Sequence, residues 1–251
     1  MRAVWVLASR ELRGFLRSPL GYALLAVHAL ASGLILVTLL YLFREQWMLS
    51  AQQAARTLQA PPGVSLQLAV VMPYFLNVAS QLLFILPFVT MRSIAEERRS
   101  RGLELLTSYP LRVWQIVLGK YLGVLGFTLL LWSVNALHVV ILALVGSPAA
   151  LPVLGGLLGL LLFAAALLAI GLFVSSLAMG QVEAAVLTLG LFLVLAMAGG
   201  VARPGSSWGQ TLLANLSPLH HYSGFGQGLL APAAIGYFLA ATVLFLALSV
   251  R

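Results

Sequence analysis

Six long runs of apolar residues divide the chain, and polar residues collect in the segments between them. Each run is close to the ~20 apolar residues that a helix needs to cross the hydrocarbon core of a bilayer. The pattern therefore predicts an all-α integral membrane protein with six transmembrane helices in a single domain, residues 1–251. The predicted spans lie near residues 20–43, 69–91, 113–145, 152–174, 182–201 and 231–250.

The segment before the first run, residues 1–18, carries four arginines and one glutamate, and its apolar residues recur at helical spacing. This pattern predicts an amphipathic helix on the membrane surface, with its basic side toward the lipid headgroups. A signal peptide is the rival interpretation. The apolar run that follows is too long for that, and no suitable A-x-A cleavage site comes after it.

Composition supports the membrane assignment and sets the direction of the spans. Hydrophobic residues make up 61% of the chain and charged residues only 8%, with a net charge of +8. With the N-terminus inside, eleven of the fourteen basic residues fall in inside segments, and only Arg44, Arg56 and Arg203 fall outside. This bias predicts that both termini are cytoplasmic. Because the basic residues flank apolar runs and form no basic-aromatic stretch, nucleic-acid binding is excluded.

The segment between the second and third runs mixes charges of both signs. Three of the six glutamates and six of the basic residues lie between Arg92 and Lys120. Glu97 and Arg101 can pair one helical turn apart, Gly102 breaks the helix, and leucines follow it. A loop whose charges serve only to orient the membrane spans needs arginine but no glutamate. The segment therefore favours a cytoplasmic helical elbow that docks a soluble partner, with a solvated loop as the alternative.

Two stretches resemble a known family. Residues 95–121, AEERRSRGLELLTSYPLRVWQIVLGKY, resemble the coupling segment of ABC-2-type transporter permeases, closest to the gliding-motility and nitrous-oxide-accessory type. Residues 216–228, LSPLHHYSGFGQG, are similar to a late stretch of the same group. His221 is a departure, since a phenylalanine often follows the histidine there, and the role of the pair His220–His221 is left open.

The resemblance implies a permease subunit in the inner (plasma) membrane that exports a substrate by alternating access. Its implied partners are a second copy or a paralogous permease and separate ATPase subunits that bind ATP and Mg. An auxiliary extracytoplasmic protein is a further implied partner. The surface helix and a coupling helix between spans two and three would receive the ATPase motion. The implied ATPase-coupling residues are Arg10, Glu11, Arg13, Glu96, Glu97, Arg98, Arg99, Arg101, Gly102, Leu103, Glu104, Leu105 and Leu106.

The chain lacks the sequence features of an ATPase of its own. A P-loop reads G-x-x-x-x-G-K-[ST], and Gly119-Lys120 has neither the upstream glycine nor the following hydroxyl residue. The sequence contains no aspartate for a Walker B site and no cysteine for a thiolate metal site. We therefore expect no catalytic residues, no metal and no cofactor in this chain, and an energy source on a separate chain.

Polar residues inside the predicted spans are candidates for lining a substrate pathway, because polar groups in a bilayer face protein or a water-filled route. Hydrogen bonding between helices is the alternative interpretation, and for the second span it is favoured. Asn135 and His138 are three residues apart and so share a helix face. The candidates are Asn77, Ser80, Gln81, Asn135 and His138.

Two further features concern packing. The motifs Gly119-x-x-x-Gly123 and Gly155-x-x-x-Gly159 predict close approach of helices. The segment before the last run, residues 202–230, is moderately apolar but too broken to span, which predicts a re-entrant extracytoplasmic segment shielded by protein.

Two other functions remain open at this level. An ATP-independent transporter or intramembrane enzyme needs paired ionisable groups within the membrane, and the candidates His28, His138, Lys120 and Glu183 are sparse. A membrane scaffold of a mechanical or secretion assembly is the third interpretation. No feature of the sequence identifies the substrate.

Overall fold

The structure, a computed structural model, describes residues 2–57, 65–93, 112–200 and 208–250. Within these ranges all regular secondary structure is helical, as predicted. The helices are α1 (Arg2–Leu16), α2 (Pro19–Thr57), α3 (Met72–Thr90, entered through a π-helical turn at Gln67–Val71), α4 (Val113–Val145), α5 (Ala150–Leu177), α6 (Gln181–Ala198), α7 (Trp208–Leu216), α8 (Pro218–Tyr222) and α9 (Pro232–Ser249).

Six of these helices are long and apolar enough to cross a membrane: α2, α3 with its π-helical turn, α4, α5, α6 and α9. The shortest of them have 18 residues. At 1.5 Å per residue such a helix is about 27 Å long, close to the ~30 Å thickness of the hydrocarbon core. The six predicted spans are confirmed, and the chain is a multi-pass membrane protein.

The first span differs from its prediction in length. Helix α2 does not end near Phe43 but continues to Thr57, well beyond the apolar run. No glycine or proline occurs between Leu34 and Thr57, and leucine, alanine and glutamine are frequent there. The apolar run ends at Arg44, but the residues that follow still favour a helix, so α2 continues past the apolar part.

Helix α5 forms the centre of the fold. It packs against α3, α4, α6 and α9, and most of its residues from Gly155 to Ser175 are buried. Small residues allow this close packing. At Gly171, an added Cβ would lie 2.6 Å from Oγ1 of Thr90 on α3, so any larger residue would push the two helices apart.

The segment that precedes α9 folds as two short helices and a 3-10 turn at Phe225–Gln227. Tyr222 and Phe225 are fully buried against the face of α5 that carries Gly155 and Gly159. An added Cβ on Gly159 would lie 2.6 Å from Cγ of Phe225. The predicted glycine motif of α5 therefore does bring backbones together, but its neighbour is this irregular segment rather than a long helix. The depth of the segment in the membrane stays a prediction.

The chain leaves the 3-10 turn through Gly228, whose φ of +81° lies in the left-handed region. A glycine adopts this conformation without strain, whereas a residue with a side chain rarely does. Gly228 thus allows the chain to reverse beside Pro152 and enter α9.

Candidate functional site

Helix α1 packs along the first part of α4. Val4, Ala8 and Phe15 are its buried residues, and the Phe15 ring stacks on Phe127 with centroids 4.7 Å apart. The approach is close because α4 presents glycines there: an added Cβ on Gly123 would lie 2.5 Å from Cβ of Glu11. This close approach was predicted from Gly119 and Gly123, and α1 is the helix that uses it.

An ion pair lies in this contact. The carboxylate Oε2 of Glu11 on α1 is 3.6 Å from Nζ of Lys120 on α4. The Lys120 side chain is only 3% exposed, and that of Glu11 is 18% exposed. A charge so well buried is costly unless it is paired and hydrogen-bonded. The ion pair therefore links α1 to α4.

Ser93, directly after α3, completes this arrangement. Its hydroxyl donates to Oε1 of Glu11 at 3.1 Å, and its backbone carbonyl accepts a hydrogen bond from Nζ of Lys120. We call Glu11, Ser93 and Lys120 the junction. It brings together α1, the end of α3 and the first turns of α4.

The position of the junction in the chain is what makes it a candidate site. Ser93 is the last described residue before the predicted coupling segment, and α4 begins at Val113 directly after it. Ser93 and the first part of α4 are thus both held against α1. The coupling residues predicted within the segment lie outside the described residues: Glu96, Glu97, Arg98, Arg99, Arg101, Gly102, Leu103, Glu104, Leu105 and Leu106.

Sequence reasoning placed Glu11 in the coupling set but left out Ser93 and Lys120. Lys120 could have been recognised from the sequence, because it is the one lysine of the chain and lies within an apolar stretch. Ser93 carried no signal at all. Arg10 and Arg13, which were predicted with Glu11, are exposed on the other side of α1.

A second polar cluster lies between the spans. The hydroxyl of Tyr74 on α3 is 3.0 Å from Oδ1 of Asn135 and 2.8 Å from Nδ1 of His138, both on α4. Nδ2 of Asn135 is 3.1 Å from Nε2 of His28 on α2. We call these four residues the membrane network. Asn135 and His138 share a face, as predicted, and the network joins three helices.

Tyr74 was not among the predicted site residues, and His28 was named only as an ionisable group for an ATP-independent transporter or intramembrane enzyme. Tyr74 looks like one more aromatic residue in an apolar run, and nothing in the sequence couples it to residues sixty positions away. The network leaves Nδ1 of His28 without a hydrogen-bond partner within the described residues, although His28 is fully buried. Burial of such a group costs about 1–3 kcal/mol, so this cluster is not optimised for packing alone.

The predicted lining residues of α3 do not form one site. Asn77 is exposed and donates to the carbonyl of Pro73 at 2.8 Å, and Ser80 donates to the carbonyl of Leu76 at 2.9 Å. Only Gln81 reaches another helix, where Nε2 donates to the His28 carbonyl at 3.4 Å. A pathway role for these residues stays a prediction.

The histidine pair lies in α8, in the middle of the irregular segment. The hydroxyl of Ser217 accepts from the backbone N–H of His220 at 3.4 Å. Nε2 of His221 is 2.8 Å from the carbonyl of Asn215, and its ring stacks on Tyr237 at 4.0 Å. Among the described residues, no group of three or more potential metal ligands comes together. Through its stack on Tyr237, His221 contributes to the packing of this segment on α9.

Comparison with known proteins supplies one finding. The model of a family described as "ABC-2 family transporter protein" matches residues 49–250, which cover most of the chain and five of its six spans. No curated protein matches the chain.

Proposed function

The chain belongs to the ABC-2 family of transporter proteins, as an ABC transporter permease, and on that basis we propose that it is the membrane subunit of an ATP-driven exporter whose ATPase is a separate chain. Two permease subunits would pair across the inner (plasma) membrane with their N-termini in the cytoplasm. ATP and Mg would bind only to the ATPase subunits. Alternating access between the paired subunits would move the substrate.

The observation that carries the mechanism is the junction. Residues 92–112 are the segment that the ATPase would contact. Ser93 at its start and Lys120 on the helix that follows it both meet Glu11 of α1. A force on the segment would therefore act on three helices at once. The buried charge on Lys120 favours retention of these contacts during motion, because separation would break an ion pair in a poorly solvated place.

The membrane network would carry the motion further from the junction. Hydrogen bonds from Tyr74 and Asn135 join α2, α3 and α4, so these spans would tilt together rather than slide past one another. Coupling over such distances is carried by packed helices and polar networks with discrete arrangements. Asn77, Ser80 and Gln81 on α3 are our candidates for lining the route between the paired subunits.

The test is the association of the chain with its ATPase, which we expect to be encoded beside it. The double variant Glu97→Ala/Leu105→Ala should lose co-purification of the ATPase and ATP-dependent transport, while the chain remains folded. The matched control is Glu45→Ala/Leu49→Ala, which removes the same residue types from the exposed outer part of α2.

Two results would contradict the proposal. One is that the Glu97→Ala/Leu105→Ala variant binds and responds to the ATPase as the unsubstituted chain does. The other is transport by the purified chain alone, without any ATPase, which would favour an ATP-independent transporter instead. If the variant still binds the ATPase but has lost all transport, the segment transmits the motion of the ATPase and is not its docking site.

A further inference from the structure

A basic groove runs along the exposed face of α1. It has a volume of about 320 Å³ and is lined by Val6, Ser9, Arg10, Arg13, Gly14 and Arg17. Nη2 of Arg13 donates to the hydroxyl of Ser9 at 3.1 Å, which orients one guanidinium along the groove. Because the three arginines follow one another at helical spacing, their charges lie on one side of the helix.

The opposite side of α1 is fixed. Val4, Ala8 and Phe15 are buried against α4, and Glu11 is turned toward Lys120. The contacts with α4 therefore fix the direction in which the basic face points.

Among the described residues, no carboxylate neutralises this face. Glu11 is the one acidic residue among the first 44 of the sequence, and it belongs to the junction. In the part of the chain that the structure describes, no acid lies within ion-pair distance of Arg10, Arg13 or Arg17. The groove thus presents three positive charges and one hydroxyl to whatever lies beside it.

The groove ends where the chain enters the membrane. Arg17 is followed after one residue by Pro19, the first residue of the first membrane-spanning helix. Trp5, beside the basic face, is 69% exposed, and tryptophan favours the membrane–water interface. The C-terminal end of α1 consequently lies at the level of the lipid headgroups.

We propose that this groove is a binding site for the phosphate of an anionic phospholipid headgroup. Guanidinium groups match phosphate oxygens in paired, charge-assisted hydrogen bonds. The Ser9 hydroxyl donates to the Val6 carbonyl at 3.0 Å and accepts from Arg13, so it positions a guanidinium and is not itself a donor to the phosphate. The acyl chains of the lipid would extend along α2, whose first turns expose Tyr22 and Val27. Bound lipid would hold α1 at the bilayer surface, and this site does not depend on the proposed ATP-driven transport.

The experiment measures lipid affinity of the full-length chain purified in detergent. Fluorescently labelled phosphatidylglycerol and phosphatidylcholine are titrated separately, and inorganic phosphate is added as a competitor. The test variant is Arg13→Gln/Arg17→Gln, and Arg44→Gln/Arg56→Gln is the matched control, since it removes two exposed arginines from the other end of α2. A lysine version, Arg13→Lys/Arg17→Lys, keeps the charge.

We expect phosphatidylglycerol to bind more tightly than phosphatidylcholine. Each basic group near an anionic lipid surface contributes about a five-fold gain in affinity, so the test variant should bind phosphatidylglycerol roughly 30-fold more weakly. The control variant should bind as the unsubstituted chain does. The lysine variant keeps the charge but loses the paired hydrogen bonds, so its affinity should lie between that of the unsubstituted chain and that of the glutamine variant.

Several outcomes would overturn the inference. Equal affinity for the two lipids, or an equal loss in the control variant, would show only a general effect of net charge. Displacement of the lipid by inorganic phosphate at comparable concentration would identify a free-anion site. If the test variant binds lipid normally but fails to retain the ATPase, the basic face belongs to the protein partner.

Discussion

Replacement of Glu11 by glutamine (Glu11→Gln) is expected to destabilise the chain by removing the charge that compensates Lys120. At 3.6 Å and an effective dielectric constant of about 20, the Coulomb attraction is about 5 kcal/mol. Glutamine keeps the shape and one hydrogen-bonding oxygen, and the Glu11 side chain is 18% exposed, so part of this attraction is already screened. The expected loss is therefore about 2–3 kcal/mol, just below the ~3–5 kcal/mol typical of a broken buried pair.

The assay is thermal unfolding in detergent, followed by loss of monodisperse protein. With about 2–4 °C for each kcal/mol in a chain of this size, Glu11→Gln should lower Tm by roughly 5–10 °C. Glu45→Gln serves as the control, because Glu45 is exposed on the outer part of α2 and its substitution should change stability by no more than about 0.5 kcal/mol.

A double-mutant cycle separates the ion pair from other effects. Lys120→Met alone removes the cation of this ion pair, whereas Glu11→Gln/Lys120→Met removes both charges and should recover much of the stability. We expect a coupling energy of about 2 kcal/mol between the two positions. The reasoning is refuted if Glu11→Gln lowers Tm no more than Glu45→Gln, or if the losses of the single variants simply add in the double variant.

The remaining predictions concern the membrane network, the glycine contacts and the orientation. Tyr74→Phe removes the hydroxyl that joins α3 to α4 and should cost about 1–3 kcal/mol in the same unfolding assay; an unchanged Tm would show that the network does not stabilise the spans. Gly159→Ala places a Cβ 2.6 Å from an aromatic ring carbon and should lower Tm, whereas Gly190→Ala meets nothing within 4 Å and should not. Equal Tm values would contradict the packing. Because the chain has no cysteine, Arg56→Cys should react with an impermeant thiol reagent added outside cells, and Gly14→Cys only after permeabilisation; the reverse pattern would invert the orientation.

The number of spans was predictable because hydropathy is a local property. A helix must present about 20 apolar residues to lipid wherever its neighbours lie, so each span can be predicted from its own residues. The close approaches at Gly123 and Gly159 were partly predictable for the same reason, since a small residue permits contact with any partner. Their partners, α1 and the irregular segment, were not, because a glycine does not specify what packs on it.

Helix ends were less predictable than spans. The first apolar run ends at Arg44, yet α2 continues to Thr57. Polarity and helix propensity separate here: the residues after Arg44 prefer water but still favour a helix, and no glycine or proline interrupts them. Hydropathy alone therefore located the membrane-spanning part of α2 but not the length of the helix.

By itself, the sequence determined the fold class, the six spans, the arginine bias that predicts their direction, and the resemblance to the transporter family. Only the tertiary structure decided that Lys120 meets Glu11 and Ser93, and that Tyr74 joins Asn135 to His138. Lys120 and Ser93 are 27 residues apart, and the other partners are separated by about sixty to a hundred and ten residues. Apolarity and helix propensity act along the chain, but a hydrogen bond or ion pair depends on how helices are rotated and offset against each other, and that follows from packing of the whole bundle.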